Sequence, residues 1–397
     1  MTTTTTPTAA VTPKPAGRAG LALFTMFLGS FTLVSAEFLP PGVLTTMAAD
    51  LGVREGVVGL SVSATAFTAL LAALGLSSVF PRLDRRTLLM ALTIGAAVSN
   101  LVVALAPNIV LLLLARLLLG AAVGGYWSMA LVIATRLVPA DRLGKAMMLV
   151  NAGTTVATVA GVPLGVLLSQ FAGWRVVFVV TAALTVVAAI AVRLTLPPIP
   201  PAPGVGWSAM GGALRAPGVA LGLLSVVAVI GGHFAGYTYI RPALAELLGA
   251  GPGAIPILLA LFGVGGLVGN FVIGSLADRR LELLLVLVPA VIAVSIAAII
   301  ASAHLPALAY VAVILWGGAF GGILNVVQVW ISRVLPDRVE AGSGLLVAGF
   351  QLAIILGSAV GGRFVDTLGT ATTYGIAAVL ALLGGIVVRL SLARAQR

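Results

Sequence analysis

The chain has 397 residues, is 60% hydrophobic and 8% charged, carries a formal charge of +11 and contains no cysteine. Too few polar residues remain to cover a water-soluble globule, and the basic residues lie in short loops rather than on one face, which excludes a nucleic-acid-binding domain. Without cysteine there is no disulfide framework, thiolate metal site or thiol nucleophile.

In chain order, residues 1–18 are rich in Thr and Pro and read as a disordered tail without chemistry. Twelve apolar segments follow, each near the roughly 20 residues that cross a bilayer as a helix. They fall at 19–41, 56–80, 87–106, 109–133, 146–169, 175–196, 217–241, 254–277, 283–303, 307–331, 341–362 and 370–390. Most basic residues share one side, including Lys14, Arg82, Arg136, Lys145, Arg280, Arg338 and Arg389, whereas the other side keeps Arg54, Arg175, Arg241 and Arg363. Positive loops favour the cytoplasm, so both termini are expected inside the cytoplasmic membrane of a multi-pass protein. The basic start, apolar run and "VSA" before Glu37 also resemble a signal peptide, but two prolines after the cut and the even span count argue against it.

An internal repeat at an offset of 197 residues places Gly120, Gly124 and Gly125 on Gly317, Gly321 and Gly322, Arg136 and Pro139 on Arg333 and Pro336, and Gly165 on Gly362. The fold class is therefore all-α membrane protein, with twelve transmembrane helices in two pseudo-symmetric six-helix bundles. The expected division is an N-terminal bundle at 19–196, a cytoplasmic linker at 197–216 containing "LPPIPPAPGVG", a C-terminal bundle at 217–390 and a tail at 391–397.

The first span ends "VSAEFLPPGVL", with Glu37 four residues before Pro41. The fourth, "LLLLARLLLGAAVGGYW", holds Arg116 roughly 10 Å below its outer boundary, and Glu37 lies roughly 6 Å below it. A charge at that depth needs a cavity or a partner, and these two are natural partners. Either Glu37 and Arg116 are a permanent ion pair fixing two helices, or Glu37 is a proton-coupling carboxylate whose proton affinity is set by desolvation and Arg116 in opposition. Pro40 and Pro41 leave carbonyls unpaired one turn earlier, and otherwise read as helix termination.

Between spans 2 and 3 lies "SSVFPRL" followed by Asp84, Arg85 and Arg86, and between spans 8 and 9 "GSLADRR" with Gly274, Asp278 and Arg279. A solvated topology signal is the plain reading of these charges. The fifth span contains "AGVPLG", where Gly161 and Gly165 permit close helix approach and Pro163 bends the segment. In "GGHFAGYTYIRP", His233, Tyr237 and Arg241 share a helical face at i, i+4 and i+8. His233 suits a substrate contact, a proton relay or plain packing. Asn325 and Gln328 in span 10, and Tyr126 and Trp127 in span 4, supply amides and rings suited to a flat, neutral, hydrogen-bonding substrate. Interfacial belts of Trp316 and Trp330, and interhelical amide bonds among Asn151, Asn270 and Gln351, are the structural alternative. No GxxxxGK[ST] loop is present, the two histidines, His233 and His304, lie too far apart for a metal site, and neither cofactor nor metal is expected.

These loop motifs resemble that of the major facilitator superfamily, which has Gly, three residues, Asp and Arg, then a basic pair. The second half keeps it, whereas the first has Ser77 and Pro81 in the Gly and Asp positions. The resemblance implies a charge latch that stabilises the outward-facing state. Arg116 with Gly120 resembles the helix 4 motif associated with proton transfer in the drug/proton antiporter group, and Gly161, Pro163 and Gly165 its antiporter motif, with Val162 where a glycine is expected. "AEFLPPGVLTTMAADLGVREGVVG", "GGYWSMA", "YTYIRP" and "GSAVGG" are similar to bacterial purine ribonucleoside efflux pumps. What the resemblance implies is a monomeric, proton-coupled exporter of purine ribonucleosides and their analogues, acting by alternating access and not an enzyme. Its partners would be protons, a small-molecule substrate and the bilayer. Sugar or multidrug antiport, proton-coupled import and a non-transporting membrane sensor are the alternatives.

Overall fold

A computed structural model describes residues 16–201, 207–249, 254–302 and 305–395. The N-terminal tail up to residue 15, the linker stretch 202–206, His304 and the last two residues lie outside the described residues. Among the described residues, twelve helices are long and apolar enough to cross a membrane. They are α1 (Ala19–Gly42), α2 (Val57–Val79), α3 (Arg85–Leu105), α4 (Ile109–Leu137), α5 (Ala140–Ala172), α6 (Trp174–Thr195), α7 (Val219–Tyr237), α8 (Ile257–Ala277), α9 (Leu281–Ala301), α10 (Pro306–Val334), α11 (Pro336–Val365) and α12 (Thr370–Leu390). Among the described residues there is no strand, as the backbone of a segment in lipid must satisfy its own polar groups.

Helices α1–α6 pack together as one bundle and α7–α12 as a second. The internal repeat is visible as matching contacts. A Cβ at Gly120 would lie 2.2 Å from the Thr65 carbonyl oxygen, and one at Gly317 2.1 Å from that of Phe262. Likewise Gly124 meets the Ala69 carbonyl and Gly321 that of Gly266. Each partner pair is itself displaced by 197 residues, so α2 crosses α4 as α8 crosses α10.

Pro40 and Pro41 lie in the last turn of the first helix, which ends at Gly42 and is followed by a short helix, Leu44–Leu51. One local expectation, an unbroken seventh span, is corrected. The seventh span stops at Tyr237, and after a turn at 238–239 a separate helix, Ile240–Leu247, carries Arg241. The helical register shared by His233 and Tyr237 is therefore interrupted before residue 241. Within the linker, the helix Trp207–Leu214 buries Met210 and Ala213.

The fifth span contains a π-helical stretch, Ala157–Gly161, directly before Pro163. A widened turn accommodates the missing proline N–H. Gly153, Ala157, Gly161 and Gly165 recur every four residues, so they form one small-residue face. This face lies against α1. A Cβ at Gly161 would approach Ser35 Oγ to 2.6 Å and one at Gly165 Leu39 Cδ2 to 2.4 Å. Ser30 Oγ, on the same seam, donates to the Val150 carbonyl at 2.6 Å.

A side chain at Gly153 would meet Ser30 Oγ at 2.1 Å and the Phe27 carbonyl at 2.3 Å, and the latter is backbone that cannot rotate away. Gly153→Val is expected to cost about 3 kcal/mol or more by overpacking and to lower the melting temperature in detergent. Gly95→Ala, whose new methyl would sit 3.6 Å from Leu118 Cδ1, is expected to melt with the unmodified protein or slightly above it.

Candidate functional site

Pro40 and Pro41 each lack the N–H that would bond four residues back, to the carbonyls of Ala36 and Glu37. Arg116 from α4 supplies both missing donors. Its Nη1 donates to the Ala36 carbonyl at 2.7 Å and its Nη2 to the Glu37 carbonyl at 3.0 Å, while Nε approaches the Ser61 carbonyl of α2 at 3.4 Å. Arg116 is 0% exposed. The planar fork of a guanidinium suits two adjacent carbonyls, and a Lys could not reach both.

This corrects the expected Glu37–Arg116 ion pair. Among the described residues the ion pairs are Arg85–Glu340 and Arg175–Asp50. Glu37 feels the Arg116 charge through space but its carboxylate makes no ion pair with it. The guanidinium is held by backbone, and the half-buried Glu37 carboxylate is left free of a counter-ion.

The hydrogen bonds and the ion pair joining the two bundles lie in the half of the molecule that carries the linker. Asn151 of α5 donates to Asn325 Oδ1 at 2.9 Å and to Gln328 Oε1 at 2.8 Å on α10. Asn325 in turn donates to Asn270 Oδ1 at 2.9 Å, and Asn270 to the Met148 carbonyl at 3.0 Å. Asn325 and Gln328, expected as substrate contacts, are thus buried parts of an amide seal between the bundles.

Nearer the linker, the two loop motifs make unlike contacts. Asp278 Oδ1 accepts from the Gly144 amide at 2.7 Å, at the start of the fifth span. Arg333 also donates to the Asp278 carbonyl. In the first half, with Pro81 in the Asp position, Arg85 instead pairs with Glu340 at 2.5 Å, adding an Nε bond of 3.1 Å. Arg85 further donates to the carbonyls of Phe80 and Leu83. The Arg85 and Glu340 side chains are 0% and 3% exposed, so parting the bundles would require hydrating both charges. Asp84 is no solvated signal: it caps α3 through the amides of Arg86 and Thr87 and accepts from the linker amide of Ile199 at 2.6 Å. Arg86 reaches the Leu196 carbonyl at 3.3 Å. Gly274 packs against Met148 and Asn325, and Arg279 stands exposed at the end of α8.

The rings divide between two environments. Tyr126 is buried and donates to the Met26 carbonyl, with Trp127 edge-on to it at 5.5 Å. His233 sits in a cluster with Tyr237, Phe262, Trp316 and Phe320. Trp316 and Trp330 are 0% and 1% exposed, so neither belongs to an interfacial belt.

Sequence reasoning missed Glu340 and Phe320. Glu340 stands in the first turn of its helix, where an acidic residue is ordinary. Phe320 is one apolar residue among many in its span. The signal available for Glu340 was the broken motif in the first half, which left Arg85 without the usual carboxylate.

The family model of the Major Facilitator Superfamily matches residues 25–344 and 223–397. The chain is 36% identical over 388 residues to "Transcription regulatory protein OpdE" of Pseudomonas aeruginosa, covering 96% of each. It is 35% identical over 356 residues to "Purine ribonucleoside efflux pump NepI" of Salmonella typhimurium, covering 90% of each. Among solved structures, the proton:xylose symporter XylE superposes with a TM-score of 0.75 at 15% identity, covering 94% of this chain and 95% of that one. The human organic anion transporter MFSD10 (TETRAN) gives 0.74 at 15% identity, covering 94% and 100%. At that identity the two structures speak for the fold.

If Arg116 serves the orphaned carbonyls, its loss is coupled to the prolines. Arg116→Met is expected to cost about 2–5 kcal/mol, the sum of two charge-assisted bonds and their stranded acceptors. In a Pro40→Ala/Pro41→Ala background, where the helix supplies its own donors, the same change is expected to cost less than half as much. A double-mutant cycle on thermal stability reads the coupling. Burial pushes the Asp278 carboxyl above the usual carboxylate range, against the Gly144 and Lys145 amides and Arg333, which favour its ionised form. A carboxyl that holds its proton more readily in the latched state than in water favours that state as pH falls. Spin labels placed on loop cysteines of this cysteine-free chain should report a larger closed fraction at about pH 5 than at about pH 7, and a smaller dependence in Asp278→Asn.

Proposed function

This chain belongs to the major facilitator superfamily, a multi-pass membrane transporter of small molecules and not an enzyme, and from that premise we propose that it exports purine ribonucleosides and purine analogues from the cytoplasm in exchange for protons. The substrate class is taken from the efflux-pump relative, matched over nine-tenths of both chains. The coupling rests on one observation: Arg116 is occupied by the Ala36 and Glu37 carbonyls, so the Glu37 carboxylate is free to gain and lose a proton without dismantling the α1–α4 contact.

With the basic loops and both termini in the cytoplasm, the amide seal and the Arg85–Glu340 pair close the cytoplasmic side and the described state faces outward. In the proposed cycle Glu37 takes a proton from the outer face and the bundles rock against each other. The proton then leaves inside as nucleoside binds, and export follows with Glu37 ionised. Tyr126, Trp127, His233 and Tyr237 are the proposed substrate-facing groups, and Asn325 and Gln328 the gate. A pH unit supplies about 1.4 kcal/mol and about 100 mV of potential about 2.3 kcal/mol per charge. Together these sustain a several-hundred-fold gradient of a neutral solute at one proton per cycle, on the order of 3.7 kcal/mol.

The relative named as a transcription regulatory protein supports a second reading, a membrane sensor of the same fold. Uptake of labelled inosine into everted vesicles under an imposed proton gradient separates the two. Export predicts accumulation that a protonophore abolishes and that falls at least tenfold in Glu37→Gln at equal protein level. A folded protein that accumulates no purine nucleoside would withdraw the nucleoside reading, and accumulation unchanged in Glu37→Gln would leave the carboxylate without a coupling role.

A further inference from the structure

His233 is 0% exposed, and its two ring nitrogens are treated unequally. Trp316 Nε1 donates to His233 Nδ1 at 3.0 Å, which makes Nδ1 an acceptor and leaves the ring proton of the neutral imidazole on Nε2. That Nε2 is buried and, among the described residues, has no hydrogen-bond partner. A stranded buried donor is unfavourable, and Trp316 fixes the ring so that it cannot turn to relieve it.

Both faces of the imidazole are covered by rings. Phe320 lies parallel to it, 3.5 Å between centroids at 4°, and Tyr237 lies on it at 5.3 Å and 15°. Both covering rings are half-buried, unlike His233 itself. Phe320, Leu324 and Gln328 are spaced i, i+4 and i+8 and so share one face of α10. Gln328 meets Asn151 of the other bundle on that face. Phe320 therefore fronts the space between the bundles, roughly 12 Å from the seal along the helix.

A flat ring cover over a fixed, unsatisfied donor is the chemistry that holds a nucleobase: stacking on the face and one directed hydrogen bond to a ring nitrogen. We propose that the His233 cluster is the base subsite, in which Phe320 moves off the imidazole to stack on an entering purine, which accepts a hydrogen bond from His233 Nε2–H. Phe320 is the cover that keeps the site closed when empty. Trp316 is a positioning residue, which sets the tautomer and touches no substrate. This inference rests on the purine nucleoside reading above and assigns that substrate its binding partner.

The test is equilibrium binding of labelled inosine to the purified full-length protein in lipid nanodiscs. His233→Phe keeps a ring without a donor and is expected to bind at least tenfold more weakly. His233→Gln, which can accept from Trp316 and still donate, is expected to stay within about threefold of the unmodified protein. Phe320→Leu, at a half-buried position where folding is least at risk, removes the stacking face and is expected to weaken binding by fivefold or more. On the ligand side, one of 3-deazainosine and 7-deazainosine should bind at least tenfold more weakly than inosine to the unmodified protein and no more weakly than inosine to His233→Phe. Inosine binding within twofold of the unmodified protein in both His233→Phe and Phe320→Leu would overturn the subsite while leaving nucleoside transport standing. Failure of the folded, unmodified protein to bind any purine nucleoside would overturn the subsite together with the substrate reading.

Discussion

Two successive prolines withdraw two hydrogen bonds from the last turn of α1, and a single arginine from α4 returns them. The Ala36 and Glu37 carbonyls, left without helical donors by Pro40 and Pro41 in the last turn of α1, are both served by Arg116. The same guanidinium reaches the Ser61 carbonyl, so three helices of one bundle meet on one side chain. A positive charge that would be costly in hydrocarbon is stabilised here by carbonyl dipoles that would otherwise be stranded. Each defect is tolerable because the other exists.

That arrangement has a consequence for Glu37. Had the carboxylate been the counter-ion of Arg116, each protonation would have removed a partner from a buried charge. With the guanidinium committed to backbone, the carboxylate can change its charge while the contact between α1 and α4 stays in place. The tight seam of α1 on the fifth span, built from Gly153, Ala157, Gly161 and Gly165, keeps α1 registered on its other side. Helix α1 is thus held by small-residue packing on one face and a bidentate arginine on another, which leaves Glu37 as its adjustable group.

The two bundles are held together by a different kind of contact. Within each bundle the helices cross on glycine and alanine, where atoms interlock and separation is expensive. Between the bundles, beside close approaches such as Gly344 on the Ala73 carbonyl and Gly274 on Met148, the contacts include many polar ones: an amide chain from Met148 through Asn270, Asn325 and Gln328 to Asn151, the Arg85–Glu340 pair, and Asp278 on the Gly144 amide. Polar partners can exchange one another for water, whereas interlocked backbones cannot part without voids. The division of labour gives rigid halves and a separable seam, which alternating access requires.

Much of this was legible from the residues in order. Apolar length dictated twelve spans, loop charge suggested orientation, and the offset of 197 residues exposed the duplication that reappears as matched contacts at Gly120 and Gly317. These are properties of composition and period, which lipid imposes on every spanning segment regardless of its neighbours. Partnership was not legible, since it depends on which atoms of a side chain meet which atoms across helices. Opposite charges at similar depth suggested that Arg116 pairs with Glu37, but a buried fork prefers two fixed carbonyls left open by proline. Asn325 and Gln328 looked like ligand groups because an amide in a membrane helix must bond to something, and only the packing of α5 against α10 decided that the something is Asn151. His233 announced a polar group at mid-membrane, while the choice of which nitrogen carries its proton belongs to Trp316, 83 residues away in sequence and reached only through the fold.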